Sequence, residues 1–257
     1  MNQKVIVISF SGIYDLEPFA HDRHFKHLDF SDIPGTDCYC DVAAQREITR
    51  RLQYLGPEGF HFIDSGNYHY ITKFWTDKIK RPFRLILFDH HTDMQAPQIP
   101  GLLTCGSWVR EMLLHNHYLK EVVILGTPTG AERKVPPRLG RRVIFDDEDL
   151  IHRHVPVHPA DEGRFPVYVS IDKDVLSRRD AVTNWDQGTV SLDELGVLLR
   201  YILDHEDVIG MDICGEYDLG HSLVEERIAA KEDNAANETI LKVSFHPLND
   251  LFRRDTI

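Results

Sequence analysis

Short runs of apolar, largely β-branched residues recur along the 257-residue chain, separated by stretches with helical spacing. Seven of these runs predict strands, at residues 4–10, 60–64, 83–89, 121–126, 142–145, 167–172 and 208–213. Several are continuously apolar rather than alternating, as expected for strands covered on both faces of a parallel sheet. Helices are predicted between them. Residues 41–55 open with a good N-cap in Asp41, residues 68–80 and 107–119 follow, and 192–205 is amphipathic after Ser191. Residues 237–252 predict a closing helix broken at Pro247. Strand–helix alternation over the whole length predicts an α/β fold: three layers, α/β/α, around a mostly parallel, doubly wound sheet. Residues 133–142 and 156–166 are loop-like, but strands continue on both sides of each. With no repeat or low-complexity tract, residues 1–257 are expected to form one domain.

The first apolar run is too short to span a membrane and lacks a small-residue cleavage site. No later stretch reaches the roughly 18 apolar residues that a span requires. Acidic residues outnumber basic ones, 41 to 29, for a formal charge of −12. That balance argues against nucleic-acid or anionic-membrane partners, which need a basic face. The four cysteines (Cys38, Cys40, Cys105 and Cys214) are scattered, which predicts reduced thiols in a cytoplasmic protein. In an extended segment Cys38-Tyr-Cys40 places two thiols on one face.

Fifteen histidines beside so many carboxylates direct attention to metal chemistry. Ligands of open α/β sheets bind beyond the carboxyl ends of the strands, and three predicted strand ends carry reactive groups. The first runs through Gly66-Asn-Tyr-His-Tyr70 and leaves His69 near the edge. The second, Leu85-Ile-Leu-Phe-Asp-His-His-Thr-Asp93, delivers Asp89, His91 and Asp93; period-2 alternation puts all three on one side if the backbone stays extended. The third, Val167-Tyr-Val-Ser-Ile-Asp-Lys-Asp174, delivers Asp172 and Asp174 by the same spacing. Singly, each has a bland reading as a strand-end turn or a structural histidine. Together they offer two imidazoles and four carboxylates, more than one metal uses, and an oxygen-rich set that suits manganese.

The order His, Asp-x-His-x-Asp, Ser-x-Asp-x-Asp resembles that of the ureohydrolase superfamily of arginases, agmatinases and formiminoglutamases, and the resemblance spans most of the chain. It implies an arginase-like fold and two manganese ions. Asp89 and Asp172 would bridge them, His69 and Asp93 would complete one, and His91 and Asp174 the other. It also implies hydrolysis of a guanidino or amidino C–N bond by a metal-bridging hydroxide, with Asp93 among the catalytic groups. Other family features differ here. Where arginase-like members carry a shuttle His, the chain has Thr104-Cys-Gly-Ser-Trp108, leaving Cys105 or another His for that step. The family's late Asp-x-x-Glu becomes Asp212-Ile-Cys-Gly-Glu216, which makes Glu216 the candidate anchor for the substrate cation although its register is shifted. The segment that holds a free amino acid's α-carboxylate is replaced by Met94-Gln-Ala-Pro-Gln98. The pattern therefore looks more like a divergent branch that includes peptide arginases, so the expected substrate is a small guanidino compound or an arginine-containing peptide. Family members commonly form homo-oligomers.

Two other readings compete. Asp89-His-His91 is literally the motif of a class of metal-dependent phosphoesterases, but residues 9–15 lack the carboxylate pair that class carries on its first strand. A non-catalytic, metal-stabilised module that binds a peptide or partner accommodates the missing shuttle and the shifted Glu216. Asp146-Asp-Glu-Asp149 reads as a solvated turn or helix start, and His152, His154 and His158 as loop histidines. His115 and His117 fall near a predicted helix end, and Trp108 and Tyr70 read as core or pocket lining.

Overall fold

The computed structural model describes residues 4–99, 101–152 and 165–245. The strands are β1 (Val5–Ser9), β2 (Lys26–Asp29), β3 (Tyr39–Cys40), β4 (Gly59–Phe62), β5 (Phe83–Phe88), β6 (Leu103–Thr104), β7 (Leu119–Thr127), β8 (Val143–Asp147), β9 (Val167–Asp172) and β10 (Val208–Cys214). Eight of them form a sheet in the order β2-β1-β4-β10-β9-β5-β7-β8, with parallel pairing throughout. β3 and β6 form a separate antiparallel ribbon. From β5 the chain steps outward to β7 and β8, then returns to lay β9 and β10 between β5 and β4. That return sets residue 172 beside residue 89, because Phe88 pairs with Ile171.

The helices are α1 (Val42–Leu52), α2 (Ile71–Thr76), α3 (Trp108–His115), α4 (Pro137–Gly140), α5 (Glu148–His152), α6 (Leu192–His205) and α7 (Leu223–Phe245). Alternate side chains of each central strand enter opposite cores. Ile6, Ile8, Leu85 and Leu87 pack with Ile48, Trp75, Trp108 and Met112 of α1–α3. Val5, Val7, Ile86 and Phe88 pack with Leu195, Leu199, Ala230 and Ile240 of α6 and α7. The result is the expected three-layer α/β/α architecture. Asp41 caps α1 by accepting from the amides of Ala43 and Ala44, and Ser191 and Glu194 form a reciprocal capping box on α6. No helix among the described residues is long and apolar enough to cross a membrane.

All seven predicted strands are present, and the differences lie at the edges. β2 is an edge strand with an almost wholly exposed Lys-His-Leu-Asp sequence, so it carried no apolar signal. α7 begins at Leu223, well before the predicted start at residue 237. Its buried face is built from Ala229, Ala230, Asp233, Ala236 and Asn237 rather than an apolar stripe, which hid the helical period. The predicted end of that helix, with Pro247, lies outside the described residues, as do His154 and His158. The acidic run 146–149 closes β8 and opens α5, where negative side chains favour the helix N-terminus.

His61 on β4 is fully buried, stacked on Trp75 at 3.9 Å between ring centroids, with Nδ1 3.0 Å from the Tyr168 hydroxyl. Burial pushes its imidazole down to about 3. The native state keeps His61 neutral while the unfolded chain takes up a proton below about pH 6.5, so its contribution is complete above that pH and is lost as pH falls from 6.5 toward 3. The limiting slope is about 1.4 kcal/mol per pH unit. We expect His61→Phe, which keeps the ring stack, to flatten this part of the urea-midpoint profile relative to wild type; parallel profiles would rule the assignment out.

Candidate metal centre

The six predicted ligands converge at the carboxyl ends of β4, β5 and β9, although not by strand alternation. β5 ends at Phe88, and Asp93 sits at φ 48°, so a bent loop rather than an extended strand brings Asp89, His91 and Asp93 together. Lys173–Val175 is a 3₁₀ turn capped by the Asp172 side chain, which accepts from the amide of Asp174. His69 follows another such turn, Gly66–Tyr68, immediately before α2.

His69 Nδ1 lies 3.4 Å from Asp89 Oδ2, 3.2 Å from Asp93 Oδ2 and 3.3 Å from Asp172 Oδ2. His91 Nδ1 lies 2.7 Å from Asp174 Oδ2 and 3.7 Å from Asp89 Oδ1. Asp89 thus belongs to both groups through different oxygens. Asp172 Oδ2 stands with the His69 group and takes a contact from the Cys214 thiol at 3.3 Å, whereas its Oδ1 is engaged by the Asp174 amide.

The electrostatics follow from crowding carboxylates in a dry site. Burial, then the charges of Asp93, Asp174 and Asp172, hold the Asp89 carboxyl well above the usual range. Burial and Asp172 push Asp174 up to about 6. Burial disfavours both imidazolium ions, yet the neighbouring aspartates outweigh it, pushing His69 up to about 10 and His91 to about 9.

A second set of contacts fixes these groups. His69 Nε2 is 2.9 Å from Ser170 Oγ, which in turn donates to Asp212 Oδ1 at 2.6 Å, while Tyr168 donates to the other Asp212 oxygen at 3.0 Å. This relay holds the ring with Nδ1 facing the carboxylates, as outer partners of ligating histidines do. The Trp108 indole donates to Asp93 Oδ2 at 2.5 Å. Trp108 is therefore both buried core and a positioning group, and neither Ser170 nor Asp212 was singled out from the sequence. Asp212 was legible only as part of the shifted Glu216 motif. Gly66 is required for space: a Cβ there would stand 3.0 Å from Asp172 Oδ2 and 2.9 Å from the Trp185 ring.

The cluster opens into a cavity of about 390 Å³ lined also by Cys38, Gln95, Ile99, Leu102, Cys105 and Trp185. Cys105 is in this wall, but its thiol is held above the usual range by the neighbouring Cys38 and by burial, so the role of proton acceptor does not suit it. Glu216 is not in the wall. It is fully buried behind the turn, where it accepts from Lys173 Nζ at 2.5 Å and from Asn237 Nδ2 at 3.0 Å. The expectation that Glu216 anchors a substrate cation is not met, because its carboxylate is buried against Lys173 and Asn237 and does not reach the cavity. His90 is also outside the cluster; its Nδ1 is directed toward Gly188. Cys38 and Cys40 do not share a strand face, since Cys38 sits at φ 57° beside the cavity while Cys40 is buried.

The donor set fits divalent cations. His69 Nδ1 and Asp89 Oδ2 are buried without a hydrogen-bond partner and face one another. Leaving two such atoms unsatisfied is costly unless an ion completes them.

Comparison with known proteins agrees with this geometry. The family model described as Arginase family matches residues 15–217. The chain is 39% identical over 223 residues to an uncharacterized protein of Thermotoga maritima, covering 82% of this chain and 79% of that one. Its fold is similar to formimidoylglutamase from Bacillus subtilis (TM-score 0.69, 18% identity, 96% of this chain and 89% of that one). It is also similar to arginase from Bacillus subtilis (TM-score 0.66, 16% identity, 96% and 100%). A third similar structure is Trypanosoma cruzi formiminoglutamase with Mn2+ (TM-score 0.65, 14% identity, 95% of each chain). With a parallel eight-stranded sheet, the His–Asp cluster at its carboxyl edge and a family match across most of its length, the chain belongs to the arginase family.

Proposed function

We propose that the protein is a dinuclear, manganese-dependent hydrolase that cleaves a guanidino C–N bond, acting on arginine within a peptide to leave ornithine and release urea. The observation that carries this reading is the sharing of Asp89 between two histidine–carboxylate groups. His69, Asp93 and Asp172 would hold one ion with Asp89, and His91 and Asp174 the other. When bound, such ions supply Lewis-acid charge that activates water and steadies developing negative charge. The chain's own residues do the rest. Trp108 keeps the Asp93 oxygen in place, the Ser170–Asp212 relay fixes the His69 ring, and the surrounding carboxylates favour a cationic substrate over an anionic one.

Substrate class follows from what lines the cavity. Its described lining holds four aspartates, apolar Ala96, Pro97, Ile99 and Leu102, and no Lys or Arg. A free α-carboxylate would enter among like charges without a cation to meet it. A guanidinium on an aliphatic stem meets carboxylates at its head and apolar wall along its length, and an arginine in a peptide presents no free α-carboxylate. The arginase-family fold leaves the phosphoesterase reading without support.

Three measurements test this. Metal analysis of protein dialysed against manganese should give about two ions per chain, falling to near zero in Asp89→Ala but to about one in His91→Ala. Full turnover after exhaustive chelation would sink the reading. In a urea-release assay, arginine-containing peptides should be hydrolysed with a kcat/KM at least tenfold above that for free arginine. Agmatine, which also lacks a carboxylate, serves as the second arm: preference for it over peptides would replace the peptide substrate but keep the site chemistry. Glu216→Gln should lower the melting temperature and leave KM unchanged, whereas a large rise in KM with unchanged stability would restore Glu216 as a substrate contact.

A further inference from the structure

The mouth of the cavity carries a pair of cysteines that the hydrolytic reading does not use. In the β3–β6 ribbon Tyr39 pairs with Thr104 and Cys40 with Leu103, so the next rung sets Cys38 directly opposite Cys105. That rung is closed by a hydrogen bond from the Cys105 amide to the Cys38 carbonyl at 3.0 Å. Cys38 leaves the extended conformation here, at φ 57°, so the backbone hydrogen bond rather than strand register brings the two residues together. Antiparallel partners joined by such bonds are about 5.5 Å apart at Cα, within the roughly 4.4–6.8 Å that a disulfide bridges. Both side chains are partly exposed and line the same cavity. Cys40 and Cys214 are fully buried.

We infer that Cys38 and Cys105 form a reactive dithiol at the cavity mouth that takes low-molecular-weight disulfides as its oxidant and closes reversibly to an intramolecular disulfide. This site is independent of the hydrolytic reading. In the first step the Cys38 thiolate attacks one sulfur of glutathione disulfide, forming a mixed disulfide and expelling one glutathione thiolate. In the second, with Cys38 no longer a thiolate beside it, Cys105 gives its proton to solvent and attacks the Cys38 sulfur, closing the ring and expelling the second glutathione as thiolate. Two protein thiols lose two electrons and two protons, and one glutathione disulfide becomes two glutathiones. The order follows from the asymmetry of the pair. The neighbouring Cys105 side chain holds the Cys38 thiol below its usual range, while Cys38 and burial hold Cys105 above it. Burial pushes the Cys40 thiol up to about 12, which keeps it out of the exchange.

The bond would enclose residues 38–105, the segment that carries His69, Asp89, His91 and Asp93, and would tie two parts of the cavity wall together. An exposed disulfide on a non-extended residue, with Cys38 at φ 57°, belongs to the labile class rather than the structural one.

The test uses the full, manganese-loaded chain. It is incubated with glutathione disulfide, alkylated under denaturing conditions and mapped by peptide mass spectrometry without reduction. The expected result is loss of two of the four alkylatable thiols, one cross-link joining the peptides that hold Cys38 and Cys105, and full recovery of four thiols after reduction. Cys105→Ser should stop at the first step and retain one glutathione on Cys38. Four free thiols after oxidation, a stable glutathione adduct on the wild-type chain, or a cross-link from Cys38 to Cys40 would each overturn the assignment.

Discussion

Four carboxylates meet at one edge of the sheet in a site almost closed to water, and the surrounding structure is organised by their mutual repulsion. Two unit charges about 4 Å apart repel by roughly 4 kcal/mol at an effective dielectric of about 20. The chain opposes that repulsion with donors: the amides of His90, His91 and Asp174, the indole of Trp108 and the rings of His69 and His91 all point at aspartate oxygens. These contacts still leave Asp89 Oδ2 without a hydrogen-bond partner, its nearest basic neighbour being His69 Nδ1 at 3.4 Å. The arrangement calls for added positive charge, and any cation held there would link its own affinity to the stability of the fold.

Sheet topology sets where that charge collects. Because β9 and β10 return to the middle of the sheet, the Asp172 turn stands between the ends of β4 and β5 rather than at the far edge. A second ionic layer lies directly behind it. Lys173, between two candidate ligands, turns its side chain away from them to meet Glu216, with Asp233 of α7 3.5 Å from its Nζ. Glu17 joins through Asn237 at 2.9 Å. The layer ties the ligand-bearing turn to α7, so the position of Asp172 and Asp174 depends on a buried lysine whose own charge is balanced by carboxylates outside the metal site. Breaking such a buried pair from one side leaves an uncompensated charge, which is why this layer constrains the turn more firmly than apolar packing alone.

What could be read from the sequence follows the range of each interaction. The central strands were legible because burial on both faces makes them continuously apolar, and residue order along them delivered Asp89, His91, Asp93, Asp172 and Asp174 to one edge. The local reason given for their convergence, strand alternation, does not hold, since turns at Asp93 and Lys173 do that work. Glu216 shows the limit most clearly: its place in the chain matched a substrate-binding position, but the direction of its carboxylate depends on Lys173 and Asn237, far away in sequence. The Ser170–Asp212 relay and the Cys38–Cys105 rung depend in the same way on pairings between distant strands, which periodicity does not encode.

The overall acidity acquires a more specific meaning once the site is located. Four of the 41 acidic residues form the cluster, and three more, Glu17, Glu216 and Asp233, gather around Lys173 in the layer behind it. Two divalent ions would move the formal charge from −12 to −8, leaving the molecule anionic while placing a local positive centre inside an acidic cavity. The described lining beyond the aspartates and His91 is uncharged, with Ala96, Pro97, Ile99 and Leu102 beside Gln95 and Gln98. Among the described lining residues there are four aspartates and no Lys or Arg, so the fixed charge around the cavity is of one sign and is gathered from several strand ends rather than from one residue.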